Sequence, residues 1–170
     1  MIIENRKDVR ELWWVYRAAS FDEERPRHLW RIHAGEGFVE AADNRRIHRV
    51  NRQLLPPGLW WPDSLVTRDF HEDTEAGAYP RTIGIIEAVI EDATETITVA
   101  EARAQMGSTP GGSYETWLRA GDLTVMLNRA LLADALHNTP SGTVYVASPQ
   151  RAVVIVGGDR IAAIMPMVMG

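Results

Sequence analysis

The side chains best suited to bind a metal ion or to transfer protons are concentrated in the stretch DFHEDTE, residues 69–75. It contains Asp69, His71, Glu72 and Asp73. A hydrolytic metal site holds such ligands at a fixed spacing on a rigid element, as a His-Glu-x-x-His helix does. That spacing is missing from this stretch, which runs on into the turn-forming residues Ala-Gly-Ala-Tyr-Pro. The pattern favours a solvated acidic loop over a metal site.

Other catalytic patterns are also missing from the sequence. The glycine-rich stretch STPGGS, residues 108–113, has neither the lysine nor the spacing of a phosphate-binding loop. No serine lies in a nucleophile elbow. The chain has no cysteine, which excludes thiol catalysis, disulfides and zinc–thiolate sites. We therefore expect a protein that is not an enzyme and that needs neither a metal nor a cofactor.

Composition indicates a folded, soluble domain. The 170 residues are 45% hydrophobic and include six tryptophans, which excludes a disordered chain. A net charge of −5 argues against indiscriminate binding to nucleic acid, although a local basic face remains possible. The first residues lack the apolar core of a signal peptide, and no stretch is long and apolar enough to span a membrane. We expect a cytoplasmic protein without a membrane partner.

Periodicity predicts an α+β domain made of two βαβββ halves, with antiparallel sheets outside and two helices on one side. A helix is predicted over residues 8–20, followed by a hairpin that turns at residues 35–37. A second helix is predicted from Arg129 to His137 with Asn128 as its cap, and three strands follow it. We predict a single domain with a first half at 1–50 and a second at 116–170. Residues 51–115 are expected to be an irregular insertion, in which 82–91 and 94–104 are candidate strands.

The end of the chain carries a family resemblance. The helix that Asn128 begins ends in Asp134, Ala135 and Leu136, short strands follow, and the chain closes on IAAIMPMVMG. This arrangement resembles the last domain of the bacterial β sliding clamp, the processivity subunit of DNA polymerase III. That family has the same Asn-led helix and a terminal Val-Val-Met-Pro-Met, and residues 168–170 depart from its usual Arg-Leu ending.

Two further stretches resemble the same family less tightly. AADNRRI, residues 41–47, matches the clamp motif Ala-Thr-Asp-Gly-His-Arg-Leu at Ala41, Asp43 and Arg46. GAYPRTIGII, residues 77–86, matches the clamp linker motif at Gly77, Tyr79 and Pro80, whereas Gly84 replaces an arginine. A clamp subunit has three such domains and two subunits form a ring, so this chain is not an ordinary clamp subunit.

The resemblance implies a hydrophobic pocket for short linear motifs of replication and repair proteins. Flexible, polarisable methionines suit such a pocket because they adapt to different apolar side chains. The alternative is a last strand that simply packs into a core. The implied pocket residues are Ala42, Asn44, Arg46, Ile47, Pro80, Ile85, Ala163, Ile164, Met165, Pro166 and Met167.

The resemblance also implies that helices face duplex DNA without reading its sequence. Contacts of that kind need Lys and Arg directed at phosphates. The implied DNA-facing residues are Arg6, Lys7, Arg10, Trp14, Arg17 and Arg129. A solvated helix face is the simpler alternative. Because one domain cannot enclose DNA, a ring would require self-association of several copies, and a homo-oligomeric scaffold protein that shares only the clamp fold is the second functional hypothesis.

Overall fold

The chain forms two compact units. The computed structural model describes residues 1–64, 68–108 and 113–167. The first unit comprises Met1–Asp43 and Ile47–Arg81, and the second comprises Asn44–Arg46 and the chain from Thr82 onward. The boundary at Arg81 directly follows the Gly77–Pro80 stretch, whose resemblance is to a linker.

The first unit begins with helix α1, Arg6–Tyr16. Asn5 caps it because its side-chain oxygen accepts the backbone N–H of Lys7 at 2.9 Å. The observed helix therefore lies nearer the N-terminus than the predicted range of 8–20. After Tyr16 the backbone changes to i−3 hydrogen bonds, from Ala18 to Val15 and from Ala19 to Tyr16, which end the α-helix.

Five antiparallel strands form the sheet of the first unit. They are β1 (Ile32–Gly35), β2 (Phe38–Ala42), β3 (Arg46–Val50), β4 (Gly58–Pro62) and β5 (Phe70–Glu72). Their order is β5-β4-β1-β2-β3, and α1 packs on β1 and β2. The predicted hairpin at 35–37 is confirmed, with Gly37 at a φ of 78°. Strands β4 and β5 lie where we predicted irregular structure.

The second unit contains three helices and six strands within the described ranges. The elements are α2 (Ile83–Glu91), β6 (Glu95–Thr98), α3 (Val99–Ser108), β7 (Glu115–Ala120), β8 (Leu123–Asn128), α4 (Arg129–Leu136), β9 (Thr143–Val146), β10 (Val153–Gly157) and β11 (Arg160–Ile164). One antiparallel sheet has the order β11-β10-β9-β6, and β7 and β8 form a separate hairpin. Helix α2 packs on β9 and β10, and α4 packs on β8 and β11.

Of the two strands predicted in the middle of the chain, one is wrong and the other is correct only in its first part. Residues 82–91 form helix α2, in which Ile86 and Val89 are buried at helical spacing while Ile85 is 49% exposed. Residues 94–104 are a strand only as far as Thr98. There a capping box begins α3: the Thr98 N–H donates to a Glu101 carboxylate oxygen at 2.7 Å, and the Glu101 N–H donates to the Thr98 hydroxyl at 3.1 Å.

The predicted α+β class with antiparallel sheets is confirmed, with four α-helices in the described ranges instead of two. The second half has the expected βαβββ order, from β8 through α4 to β11. In the first half, the leading strand is reduced to a single bridge between Ile2 and Asp69. In the described ranges, no helix has the length and apolarity that a membrane span requires.

Candidate peptide-binding surface

The apolar chain end is tied to the second unit by two backbone hydrogen bonds. The N–H of Met165 donates to the carbonyl of Arg45 at 2.8 Å, and the N–H of Met167 donates to the carbonyl of Met126 in β8 at 2.9 Å. Pro166 lies between these two donors. It has no N–H of its own, and neither hydrogen bond requires one at this position. Residues 165–167, which we name the tail, follow β11 and are held by these two bonds.

Burial changes sharply at the start of the tail. Ala163 and Ile164 are 2% and 0% exposed, and their side chains belong to the packed sheet. Met165 is 44% exposed, and Pro166 and Met167 are half-buried. The apolar character of the chain end therefore has two sources: burial explains it up to Ile164, and an accessible apolar surface begins at Met165. Residues 168–170 lie outside the described ranges.

A short turn from the resemblance motif lies beside the tail. Asn44, Arg45 and Arg46 belong to the second unit, and Arg45 supplies the carbonyl that binds Met165. The guanidinium of Arg46 donates to the carboxylate of Asp134 in α4 at 2.8 Å, and the Arg46 side chain is 12% exposed. Helix α4 is fixed at its start by Asn128, whose side-chain oxygen accepts the N–H groups of Ala130 and Leu131.

The remaining implied pocket residues divide between the two units. Ile85 belongs to the second unit and is exposed on α2. Ala42, Ile47 and Pro80 belong to the first unit, where Ala42 and Ile47 are buried and Pro80 is exposed. Hydrogen bonds within the second unit thus bring the turn at 44–46 to the tail and α4. The sequence pattern contains no sign that Met126 receives the tail.

Tyr79 of the linker-like stretch is packed into the first unit. Its ring stacks on His33, with centroids 4.7 Å apart and planes inclined by 20°. Burial raises the pKa of Tyr79, the negative charges of Glu40 and Asp43 raise it further, and the nearby backbone of Ala42 only partly opposes them. The hydroxyl therefore stays neutral, and Tyr79 fixes this stretch shortly before the unit boundary.

The implied DNA-facing residues require one correction. Arg6, Lys7, Arg10 and Arg17 are exposed at or beside α1. Trp14 is only 3% exposed and stacks on His48 with ring centroids 4.4 Å apart, so it is a core residue of the first unit and presents no open face. Arg129 is half-buried at the start of α4 in the second unit.

The acidic stretch at 69–75 does not gather its side chains into one site. Asp73 is buried and accepts hydrogen bonds from Arg27 and Arg31 at 2.9 and 2.7 Å. His71 is 45% exposed, and its Nε2 lies 3.8 Å from the Asp69 carboxylate. Across the described ranges, no three His, Cys, Asp or Glu residues are grouped to hold a metal ion.

Replacing Arg46 with alanine tests whether the turn at 44–46 is fixed by α4. We expect the free energy of unfolding to fall by about 1–2 kcal/mol, because a largely buried charge pair loses one partner while Asp134 remains partly solvated. Urea unfolding of Arg46→Ala and of the matched variant Arg45→Ala, whose side chain is exposed, provides the measurement. A stability of Arg46→Ala equal to that of the wild type would show that the Arg46–Asp134 pair contributes nothing.

Comparison with solved protein structures identifies the fold of this chain. No protein-family model and no curated protein sequence matches the chain. The DNA polymerase III β chain of Streptococcus pneumoniae TIGR4 superposes with a TM-score of 0.64 at 17% identity, covering 99% of this chain and 64% of that one. The Helicobacter pylori β clamp bound to a DNA ligase peptide superposes with a TM-score of 0.65 at 11% identity, covering 95% of this chain and 62% of that one.

The Bacillus subtilis DNA polymerase sliding clamp superposes with a TM-score of 0.62 at 12% identity, over 100% of this chain and 66% of that one. The chain thus spans less than two thirds of the length of each of these three clamps. At these identities the comparison concerns the fold alone. This chain has the fold of the bacterial DNA polymerase III β sliding clamps.

Proposed function

We propose that this chain is a non-catalytic, sliding-clamp-like protein that binds short linear motifs of partner proteins at the tail. One observation carries the proposal: Met165 and Met167 hydrogen-bond to Arg45 and Met126, respectively. These bonds hold an apolar segment against the turn at 44–46 and leave Met165 partly open to solvent. The turn at 44–46, which belongs to one of the stretches that resemble the clamp motifs, therefore lies beside the tail in the second unit.

The chemistry of the tail suits apolar peptide side chains. Methionine is unbranched and polarisable, so Met165 and Met167 can adjust to differing partners. The guanidinium of Arg46 already donates to Asp134. It therefore does not need an acidic residue of the peptide as a partner. Ile85 adds a second exposed apolar side chain in the same unit.

The partners that we propose are replication or repair proteins. The H. pylori clamp, whose fold this chain shares, is bound to a DNA ligase peptide. Exposed Arg6, Lys7, Arg10 and Arg17 on the first unit supply cations for the phosphates of duplex DNA. Because the chain is shorter than a clamp subunit, encirclement of DNA would require several copies. Retention on closed circular DNA, with loss after linearisation, is the result expected of a ring.

Binding of the same DNA ligase peptide tests the proposed tail site. We expect Met165→Asp to weaken binding at least about tenfold, because a charge replaces a partly exposed apolar contact. Phe21→Asp is the matched control, since Phe21 is also apolar and is 68% exposed on the first unit. Fluorescence anisotropy of the labelled peptide measures both variants. An affinity unchanged by Met165→Asp would contradict the tail site.

A further inference from the structure

The hairpin of β7 and β8 has two outer edges that are used differently. At the β8 edge, the carbonyl of Met126 accepts the N–H of Met167 from the tail. At the β7 edge, the side-chain amide of Gln105 in α3 forms two hydrogen bonds with the backbone of Arg119. Gln105 Nε2 donates to the Arg119 carbonyl at 2.9 Å, and the Arg119 N–H donates to Gln105 Oε1 at 2.7 Å.

The two hydrogen bonds with Gln105 show that the N–H and C=O of Arg119 point away from β8, and the same direction then holds for every second residue of β7. In an antiparallel pair, residues alternate between those bonded to the partner strand and those that face outward. Arg119 faces outward, so Trp117, two residues earlier, does too. Its partner in the ladder is Met126, whose carbonyl also points away from the hairpin. Within the described ranges, no residue hydrogen-bonds to the outward N–H and C=O of Trp117.

A groove of about 540 Å³ lies beside this edge, within the second unit. It runs between α3, which contributes Glu101 and Gln105, and β7, which contributes Trp117 and Arg119, and Ile97 of β6 also lines it. The Trp117 side chain is 46% exposed. An exposed indole beside unpaired strand backbone is a feature of interaction surfaces, because it supplies a large apolar contact at the point where main-chain bonds can form.

The charged residues around the groove indicate which side chains a binding partner should carry. Glu101 and Glu115 are exposed, and the Glu95 carboxylate lies where a Cβ on Gly121 would be, so Glu95 also reaches this region. The backbone N–H of Thr98 holds the pKa of Glu101 below its ordinary value. Among the described residues that line the groove, Arg119 is the single cation. The surroundings are therefore acidic and complementary to lysine or arginine.

We propose that the β7 edge at Glu115–Trp117 binds an extended peptide segment of a partner protein, in which an apolar and a basic residue lie two positions apart. The segment adds a strand to the hairpin through the outward N–H and C=O of Trp117. An apolar side chain covers the indole, and a basic side chain approaches Glu101 or Glu115. This site is separate from the tail, which occupies the opposite edge of the hairpin.

A synthetic peptide, acetyl-Thr-Lys-Thr-Val-Thr-Lys-Thr-amide, which places its valine and lysines on one face of an extended strand, tests the proposal by fluorescence anisotropy on the full chain. We expect Trp117→Ala to weaken binding at least about tenfold and Trp117→Phe to restore most of it. Methylation of the backbone nitrogens of the peptide should weaken binding by about the same factor, because it removes the main-chain donors. Replacing the lysines of the peptide with glutamates should abolish binding.

The controls separate this site from the tail. Met165→Asp should leave binding of the lysine–valine peptide unchanged, whereas Trp117→Ala should leave binding of the DNA ligase peptide unchanged. Binding that persists in Trp117→Ala, or that ignores methylation of the peptide backbone, would overturn the proposal. So would the absence of binding at about 1 mM. Self-association abolished by Trp117→Ala, without peptide binding, would assign the edge to a second copy and would also overturn it.

Discussion

Replacing Asp73 with alanine is expected to lower the free energy of unfolding by about 3 kcal/mol. The Asp73 side chain is 2% exposed and accepts hydrogen bonds from both Arg27 and Arg31. The Arg31 side chain is itself only 12% exposed. Removing the carboxylate therefore leaves a largely buried guanidinium without this partner, and that loss exceeds the value of an ordinary surface pair.

The pH dependence of the same variant provides a second test. Burial raises the pKa of Asp73, but the hydrogen bond from Arg31, the N–H of Glu75 and the charges of Arg31 and Arg27 outweigh it. The net effect holds the pKa below its ordinary value of 3.8. A lowered folded-state pKa stabilises the fold above the unfolded-state value, and this stabilisation is lost as the pH falls through the folded value. The difference between wild type and Asp73→Ala should therefore shrink below about pH 4.

Urea unfolding at neutral and acidic pH measures both effects. Asp63→Ala is the matched control, because the Asp63 side chain is 62% exposed and its loss should change stability little. A difference between wild type and Asp73→Ala that stays constant down to acidic pH would contradict the ion-pair explanation and would indicate a loss of packing alone.

Replacing Arg160 with methionine is expected to cost about 2–3 kcal/mol. Arg160 is 9% exposed, and its guanidinium donates to the carbonyl of His137 at 2.7 Å. That carbonyl lies just beyond α4, where the chain leaves the helix through Asn138 at a φ of 55°. Methionine keeps the apolar stem but removes the charge and the donor to the helix end.

Arg103, in α3, also hydrogen-bonds to the C-terminal end of α4. Its guanidinium donates to the carbonyls of Leu136, at 2.7 Å, and of Thr139. Since both arginines satisfy carbonyls of one turn, Arg103→Met and Arg160→Met should not be additive. A double-mutant cycle by urea unfolding measures the coupling, with Arg129→Met at the opposite end of α4 as a control. Full additivity would contradict a shared role at this turn.

The parts of the fold that the sequence predicts well are those with local signals. Asn128 begins α4 as a side-chain cap, and Gly37 turns the first hairpin at a positive φ. The β-branched isoleucines of α2 favour a strand by composition, so the sequence does not indicate this helix. The difference appears only in burial, where Ile86 and Val89 face the sheet and Ile85 does not. The capping box at Thr98 and Glu101 is a local signal that would have located α3.

The candidate site is less predictable, because its contacts join distant residues. Nothing near Met126 indicates that its carbonyl receives Met167, which lies 41 positions later in the chain (167 − 126). Trp14 shares helical spacing with Arg10 and Arg17, but His48, from a strand far along the chain, covers its ring. Helical periodicity specifies which residues share a face, and tertiary packing decides whether that face is open.

Methyl NMR of the methionines tests the central claim, that partners bind at the tail. The chain carries few methionines, so each labelled methyl group can be assigned by substitution. On titration with the DNA ligase peptide, we expect the methyl signals of Met165 and Met167 to shift and that of Met106, in α3, to stay unchanged. Peptide binding that shifts Met106 while Met165 and Met167 keep their positions would contradict the tail as the binding site.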